Sequence, residues 1–282
     1  MKYSQKDMMD VLNSNNFKFK KKYGQNFIID YNVINNIVDK SEIDKDTLVI
    51  EIGPGVGSLT YKLVQAAGFV ICYEIDNTVK DILNSNLSGY DNYCVIFDDF
   101  LKRNVNDDIK KYNYDKIAIV ANLPYYITTP IITKIIEDKV DVSKMVFMVQ
   151  KEVGDRFKAV PGQKEYNSLT VYLNYYFNVQ KLMDVSRNVF LPIPNVDSIV
   201  IQFIRKDKLL YVDNPDLFFK LIKDSFKQKR KTIKNNLKNY NLEVINKVLH
   251  KNGYNLTTRA ENIPENVFVE LANELNKAQK CA

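Results

Sequence analysis

The chain has 282 residues, 45% of them hydrophobic, and a net charge of +6, enough for one large core plus a smaller domain and a weak bias toward an anionic partner. One histidine, His250, and three scattered cysteines, Cys72, Cys94 and Cys281, exclude His-based metal sites, Ser-His triads, metal knuckles and a disulfide framework. No apolar run approaches the ~18 residues of a membrane span, and the polar start MKYSQKDMMD is no signal peptide, so a cytoplasmic protein without membrane contact is expected.

A basic, aromatic stretch, FKFKKKYGQNF, fills residues 17–27, and residues 33–40 carry a helical pattern. TLVIEI (47–52) predicts a first apolar strand, followed by the loop GPGVGS and a helix over 59–67. FVICYE (69–74) predicts a second strand ending on an acid, and a helix is expected over 77–86. Residues 93–97 form a third expected strand ending at Asp98 and Asp99, and 117–121 a fourth, running straight into NLPYYI. A helix over 131–136 and a fifth strand, KMVFMV (144–149), come next, with further strand patterns at 178–185 and 198–204. Continuous apolar strands separated by helix-length segments predict a mostly parallel sheet covered on both faces. From about residue 209 the pattern is helical throughout. The expected fold is therefore α/β with two domains: a Rossmann-like domain over 1–208 with a basic N-terminal segment, and a small all-helical domain over 209–282. No heptad or apolar patch is visible, so a monomer is expected.

The glycine loop EIGPGVGS lacks the third glycine of a dinucleotide fingerprint, because position 58 is Ser58, and no Gly-Lys-Ser/Thr follows for a phosphate loop. Glu74 lies 21 residues beyond Gly53, the spacing at which an acid accepts hydrogen bonds from ribose hydroxyls. In open α/β sheets ligands bind beyond the carboxyl ends of the strands. Gly53, Glu74, Asp99 and Asn122 each fall at such an end. This set resembles class I S-adenosylmethionine-dependent methyltransferases, whose cofactor carries a ribose and an adenine but no phosphate.

Asn-Leu-Pro-Tyr (122–125) resembles the motif of methyltransferases that act on exocyclic amines of bases. The adenine N6 lone pair is delocalised into the ring and is a poor nucleophile. The Asn122 side-chain oxygen and the Leu123 carbonyl can accept the two amino hydrogens and favour a pyramidal nitrogen. Pro124 restricts the backbone so that these acceptors converge, and Tyr125 offers a stacking face. No strong base is required, because the methylated amine is acidic until it loses its proton.

KKYGQNFIID, NLPYYITTPI, QKEVGDRFKAVPGQKEYNSLTV, FLPIPNVDSIVI, FKQKRKTIKNNL and RAENIPENVF follow in this order and span nearly the whole chain. Together they resemble the small-subunit ribosomal RNA adenine dimethyltransferases, the KsgA/RsmA family. The resemblance implies transfer of two methyl groups from S-adenosyl-L-methionine to N6 of each of two adjacent adenosines, in the 3′-terminal hairpin loop of 16S rRNA within a pre-30S particle. It implies that Asn26, Ile28, Gly53, Glu74, Asp99 and Asn122 contact the cofactor, with no metal. It also implies that Asn122, Leu123, Tyr125 and Phe190 form the catalytic set, Phe190 stacking on the target base opposite Tyr125.

Two positions depart from the family pattern: Tyr126, where Asn is usual, and Ile28, where Leu is usual. Tyr126 is expected to pack behind the loop. The helix-patterned run containing Lys227, Lys229, Arg230 and Lys231, and the N-terminal Lys21 and Lys22, are expected to contact RNA. The alternatives are a large-subunit rRNA adenine methyltransferase of the macrolide-resistance type and a non-catalytic ribosome-assembly factor on the same fold.

Overall fold

A computed structural model describes residues 5–14, 17, 19–20 and 23–280, so Lys21, Lys22 and Cys281 lie outside the described residues. In chain order the elements are α1 (Gln5–Ser14), β1 (Phe27–Ile28), α2 (Tyr31–Ser41), β2 (Thr47–Ile52), α3 (Ser58–Ala66), β3 (Phe69–Tyr73), α4 (Lys80–Asn86), β4 (Tyr93–Ile96), α5 (Val105–Ile109), β5 (Lys116–Asn122) and α6 (Thr128–Glu137). There follow β6 (Lys144–Gln150), α7 (Lys151–Phe157), α8 (Ser168–Tyr176), β7 (Phe177–Val185), β8 (Phe190–Leu191), β9 (Ser198–Arg205), α9 (Pro215–Ser225), α10 (Ile233–Asn236), α11 (Leu242–Lys251) and α12 (Glu265–Lys280).

Seven strands form one sheet in the order β4-β3-β2-β5-β6-β9-β7. The β2–β3, β2–β5, β3–β4 and β5–β6 pairs are parallel, and β9 runs antiparallel to β6. The mostly parallel sheet read from the sequence is thus present, with each expected strand within two residues of its observed ends. Every residue of β2 is buried, as the continuous apolar run requires of a central strand covered on both faces. Fully burying such a side chain contributes roughly 1.5–3 kcal/mol. From β2 the chain steps outward to β3 and β4, then returns to β5 on the other side of β2. That reversal opens a crevice at the carboxyl ends of the strands.

A second, two-stranded sheet was not legible in the sequence. β1 pairs antiparallel with β8, Phe27 opposite Leu191 and Ile28 opposite Phe190. Asp30 ends this segment by capping α2, its carboxylate accepting from the Asn32 amide at 2.8 Å, so the chain turns directly from the small sheet into a helix.

The chain divides into two compact units, Met1–Gly154 with Gln180–Ile204, and Asp155–Val179 with Arg205–Ala282. The expected boundary after residue 208 therefore misses one segment. Residues 155–179 join the C-terminal unit because Ala159, Tyr166, Val171 and Tyr175 share one apolar cluster with Phe218, Leu221, Leu249 and Phe268. A helical segment between strands reads like any other crossover, and only this cluster shows which core it completes.

Gly68 illustrates how tightly the α3–β3 turn is closed. A Cβ at this position would lie 2.2 Å from the Lys45 carbonyl oxygen and 2.5 Å from the Tyr114 ring. Gly68→Ala is predicted to cost about 1–3 kcal/mol, read as a lower urea midpoint at unchanged slope; an unchanged midpoint would contradict this packing.

Candidate active site

Gly53, Glu74, Asp99 and Asn122 line one cleft, together with Asn26, Ile28, Leu123, Tyr125 and Tyr126. The loop after β2 forms its floor. Gly53 sits at φ 73°, and its amide donates to the Tyr73 carbonyl at 2.9 Å. Gly55 sits at φ 57°, with the Phe27 ring 2.6 Å from where a Cβ would stand. Left-handed backbone and close approach together require glycine here.

Glu74 is 5% exposed. One carboxylate oxygen accepts from the Gly55 amide at 3.0 Å and the other from the Asp76 amide at 2.7 Å. Burial pushes its pKa above the usual carboxylate value, and the two amides oppose that shift. The acid at the end of β3 is therefore held in place and keeps lone pairs for a ligand in the cleft. Asp99 is anchored less tightly, one oxygen accepting from the Leu101 amide at 3.0 Å.

At the end of β5, the Asn122 Nδ2 donates to the Asn26 carbonyl at 2.9 Å. This leaves Asn122 Oδ1 as the acceptor on the cleft side. The Leu123 amide donates to the Met148 carbonyl at 3.1 Å, which fixes the Asn122–Leu123 peptide. The Ile127 amide and the Thr128 hydroxyl both donate to the Pro124 carbonyl, at 3.2 Å each, closing a turn over 124–127. The half-buried Tyr125 hydroxyl lies 2.7 Å from Ser198 Oγ at the start of β9.

The segment carrying Asn26 is itself latched. Lys20 Nζ and Gln25 Nε2 donate to the two carboxylate oxygens of Asp76, at 2.6 and 2.8 Å. Gln25, Asp76 and Ser198 were missed in the sequence, and Lys20 was read only as part of the basic N-terminal cluster. Asp76 two residues beyond Glu74, and the Gln of the GQN tripeptide, were the available signals, but only the fold brings them together.

Three expectations are corrected. Phe190 is fully buried within the core cluster and opposite Ile28, so it presents no face to a base stacked on Tyr125. A buried aromatic is a packing element first, and its ring supports β1. Tyr126 does not pack behind the loop: it is 57% exposed and lines the cleft. The basic run is not helical, since Lys227, Lys229, Arg230 and Lys231 occupy the exposed turns between α9 and α10. Lys227, Arg230 and Lys231 make no ion pair with any described residue.

The family model described as ribosomal RNA adenine dimethylase matches residues 16–277. The chain belongs to this family. It is 45% identical over 276 residues, 95% of its own length and 93% of the relative's, to ribosomal RNA small subunit methyltransferase A of Staphylococcus aureus strain Newman. Among solved structures, a dimethyladenosine transferase from Plasmodium falciparum matches with a TM-score of 0.73 and 27% identity, covering 90% of this chain and 98% of that one. The 23S rRNA methyltransferase ErmE matches with a TM-score of 0.68 and 24% identity, covering 89% and 99%, which shows a shared fold. This ribosomal RNA adenine dimethylase family member is therefore an enzyme by kinship. Among the described residues no cluster of three or more His, Cys, Asp or Glu could hold a metal, and no helix is long and apolar enough to cross a membrane.

The cleft suits a nucleoside-bearing methyl donor. Its strand ends carry carboxylates rather than cations, which favours sugar hydroxyls over phosphates. Ser58 Oγ, buried in the cleft wall at the start of α3, has no hydrogen-bond partner, so a polar group of a ligand would satisfy it.

Near the end of β2, Glu51 also lines the cleft but is only 2% exposed, with Cys72 Sγ 3.8 Å from its carboxylate. Burial raises its pKa from 4.5 to about 8. The folded state thus binds a proton that the unfolded state has released, and this contribution is full below pH 4.5 and lost as pH rises to about 8. Urea midpoints are predicted to fall between pH 5 and 8 and to fall less in Glu51→Gln; equal slopes would show that Glu51 does not titrate there.

Proposed function

We propose that this chain uses S-adenosyl-L-methionine to dimethylate N6 of adenosine in small-subunit ribosomal RNA, at two adjacent adenosines of the 3′-terminal hairpin loop within a pre-30S particle in the cytoplasm. The observation that carries the reading is the Asn122 amide, whose nitrogen is committed to the Asn26 carbonyl and whose oxygen is left for the cleft. The kinship to a relative named for the small subunit favours that RNA over the large-subunit alternative. Likeness to ErmE extends to the fold alone.

The residues divide the work by position. Glu74 accepts hydrogen bonds from the cofactor ribose, and Asp99 lies at the neighbouring strand end for its adenine. Gly53 lets the backbone approach closely, and Asn26 and Ile28 close the same cleft from the N-terminal segment. S-adenosyl-L-methionine supplies an electrophilic methyl group on a sulfonium.

Asn122 Oδ1 and the Leu123 carbonyl accept the two hydrogens of the adenine amine, pulling its lone pair out of conjugation and toward the cofactor side. Tyr125 stacks on the base, worth ~1–3 kcal/mol, and its hydrogen bond to buried Ser198 fixes the ring. A flipped loop base is the cheapest to extract. The amine loses its proton after transfer, so the cleft needs orientation and not a strong base. No His lines it.

RNA contact is assigned to the exposed cations Lys227, Lys229, Arg230 and Lys231 of the second unit, and to Lys21 and Lys22.

Methyl transfer is tested with tritiated cofactor and unmethylated small subunits. The wild type is expected to label the RNA and Asn122→Ala to do so about 10²-fold more slowly; no transfer by the wild type would reject the reading. Charge reversal of Lys229, Arg230 and Lys231 is expected to weaken binding to small subunits and to flatten its salt dependence by about one unit of slope per lost phosphate contact. Unchanged affinity and slope would remove these residues from the interface.

A further inference from the structure

The turn over 124–127 sends its two tyrosines in different directions. Tyr125 reaches Ser198 on β9, beyond β6. Tyr126 reaches over Gly24, its ring carbons 3.1 Å from where a Cβ would stand on that residue. Gly24 has φ 59°, so both its backbone and the ring above it require glycine. A Pro124 ring carbon lies 3.8 Å from the same point. The Tyr126 ring thus rests on the N-terminal segment that carries Asn26, at the mouth of the cleft whose wall holds Glu74 and Asp99.

Asp99, Tyr23 and Glu74 all raise the pKa of the Tyr126 hydroxyl, with burial the largest cause. Glu74 and Asp99 stand at the β3 and β4 ends, on the opposite side of β5 from β6 and β9. The bond to Ser198 belongs to Tyr125, while the Tyr126 ring lines the same cleft as Glu74 and Asp99. It is more than half exposed, and nothing in its packing onto Gly24 needs an aromatic of this size.

We infer that Tyr126 is a cofactor-binding residue of this chain, closing the cleft over the nucleoside part of the methyl donor. This rests on the methyltransferase reading above and assigns to Tyr126 a role opposite to that of its neighbour: Tyr125 faces the base being methylated, Tyr126 the nucleoside that delivers the methyl group. A flat aromatic over a purine gains stacking with little reorganisation, because Gly24 and Pro124 already support the ring.

Calorimetric titration of the full chain with S-adenosylhomocysteine, which keeps the nucleoside and lacks the transferable methyl, tests the inference. Tyr126→Asn is expected to bind about ten-fold more weakly than the wild type, and Tyr126→Phe within about two-fold of it. Thermal midpoints of the free proteins should be alike, since the ring is largely exposed. A Tyr126→Asn protein that binds S-adenosylhomocysteine as tightly as the wild type overturns the inference. If the same variant instead shows a raised KM for small subunits, the ring serves the RNA and the inference also fails. A wild type that binds no S-adenosylhomocysteine would instead reject the underlying cofactor reading, which separates the two failures.

Discussion

One hydrogen bond organises the cleft: the Asn122 side-chain amide to the Asn26 carbonyl, between residues 96 apart in sequence. An unconstrained amide could turn either end toward a substrate, and a donor aimed at an amine would repel it. Committing the nitrogen to a backbone carbonyl leaves the oxygen as the group facing the cleft. The same bond holds the N-terminal segment against the end of β5. The two-stranded sheet of β1 and β8 and the Lys20–Asp76–Gln25 latch hold that segment from its two flanks. In the proposed reaction, orientation of the reacting group and closure of the cofactor wall would therefore be one constraint and not two.

The carboxylates obey the same logic. Glu74 is buried, which alone would favour its neutral form, yet two backbone amides point at it. Those amides come from the glycine loop and from the turn after β3, so the acid that lines the cleft also ties the loop to the strand end. Glu51, near the end of β2, accepts from no backbone amide among the described residues, and burial raises its pKa to about 8. Burial pushes both glutamates above the usual carboxylate value, but only Glu74 has two backbone amides opposing that shift and fixing its carboxylate at the cleft.

Much of this was legible in the chain itself. Apolar runs such as TLVIEI and KMVFMV mark buried parallel strands because they are too short for a buried helix, rich in β-branched and aromatic residues, and separated by helix-length segments. The strand-end residues Gly53, Glu74, Asp99 and Asn122 converge because parallel strands all end on one edge of the sheet. Pairings across long sequence distance were not legible. Phe190 is an aromatic before a Pro-rich loop in sequence, and only its partnership with Ile28 in β8 and β1 shows that its ring is consumed by packing. The direction of Tyr126 depends on Gly24, about a hundred residues away. The basic run carries a helix-compatible pattern, yet the chain leaves the helix at Ser225 and re-enters it at Ile233. Residues 155–179 illustrate the same limit at the scale of a whole segment, since local pattern does not say which core a helix joins.

The central claim is that two acceptors at the end of β5 select an exocyclic amine. The regiochemistry of the product tests it most directly. Unmethylated small subunits treated with the protein and S-adenosyl-L-methionine would be digested to nucleosides and resolved by mass spectrometry against synthetic standards. The account predicts N6-methylated adenosines, ending as N6,N6-dimethyladenosine. Methyl groups on a ring nitrogen or carbon instead would contradict it, because the Asn122 and Leu123 acceptors would then not be addressing the amine.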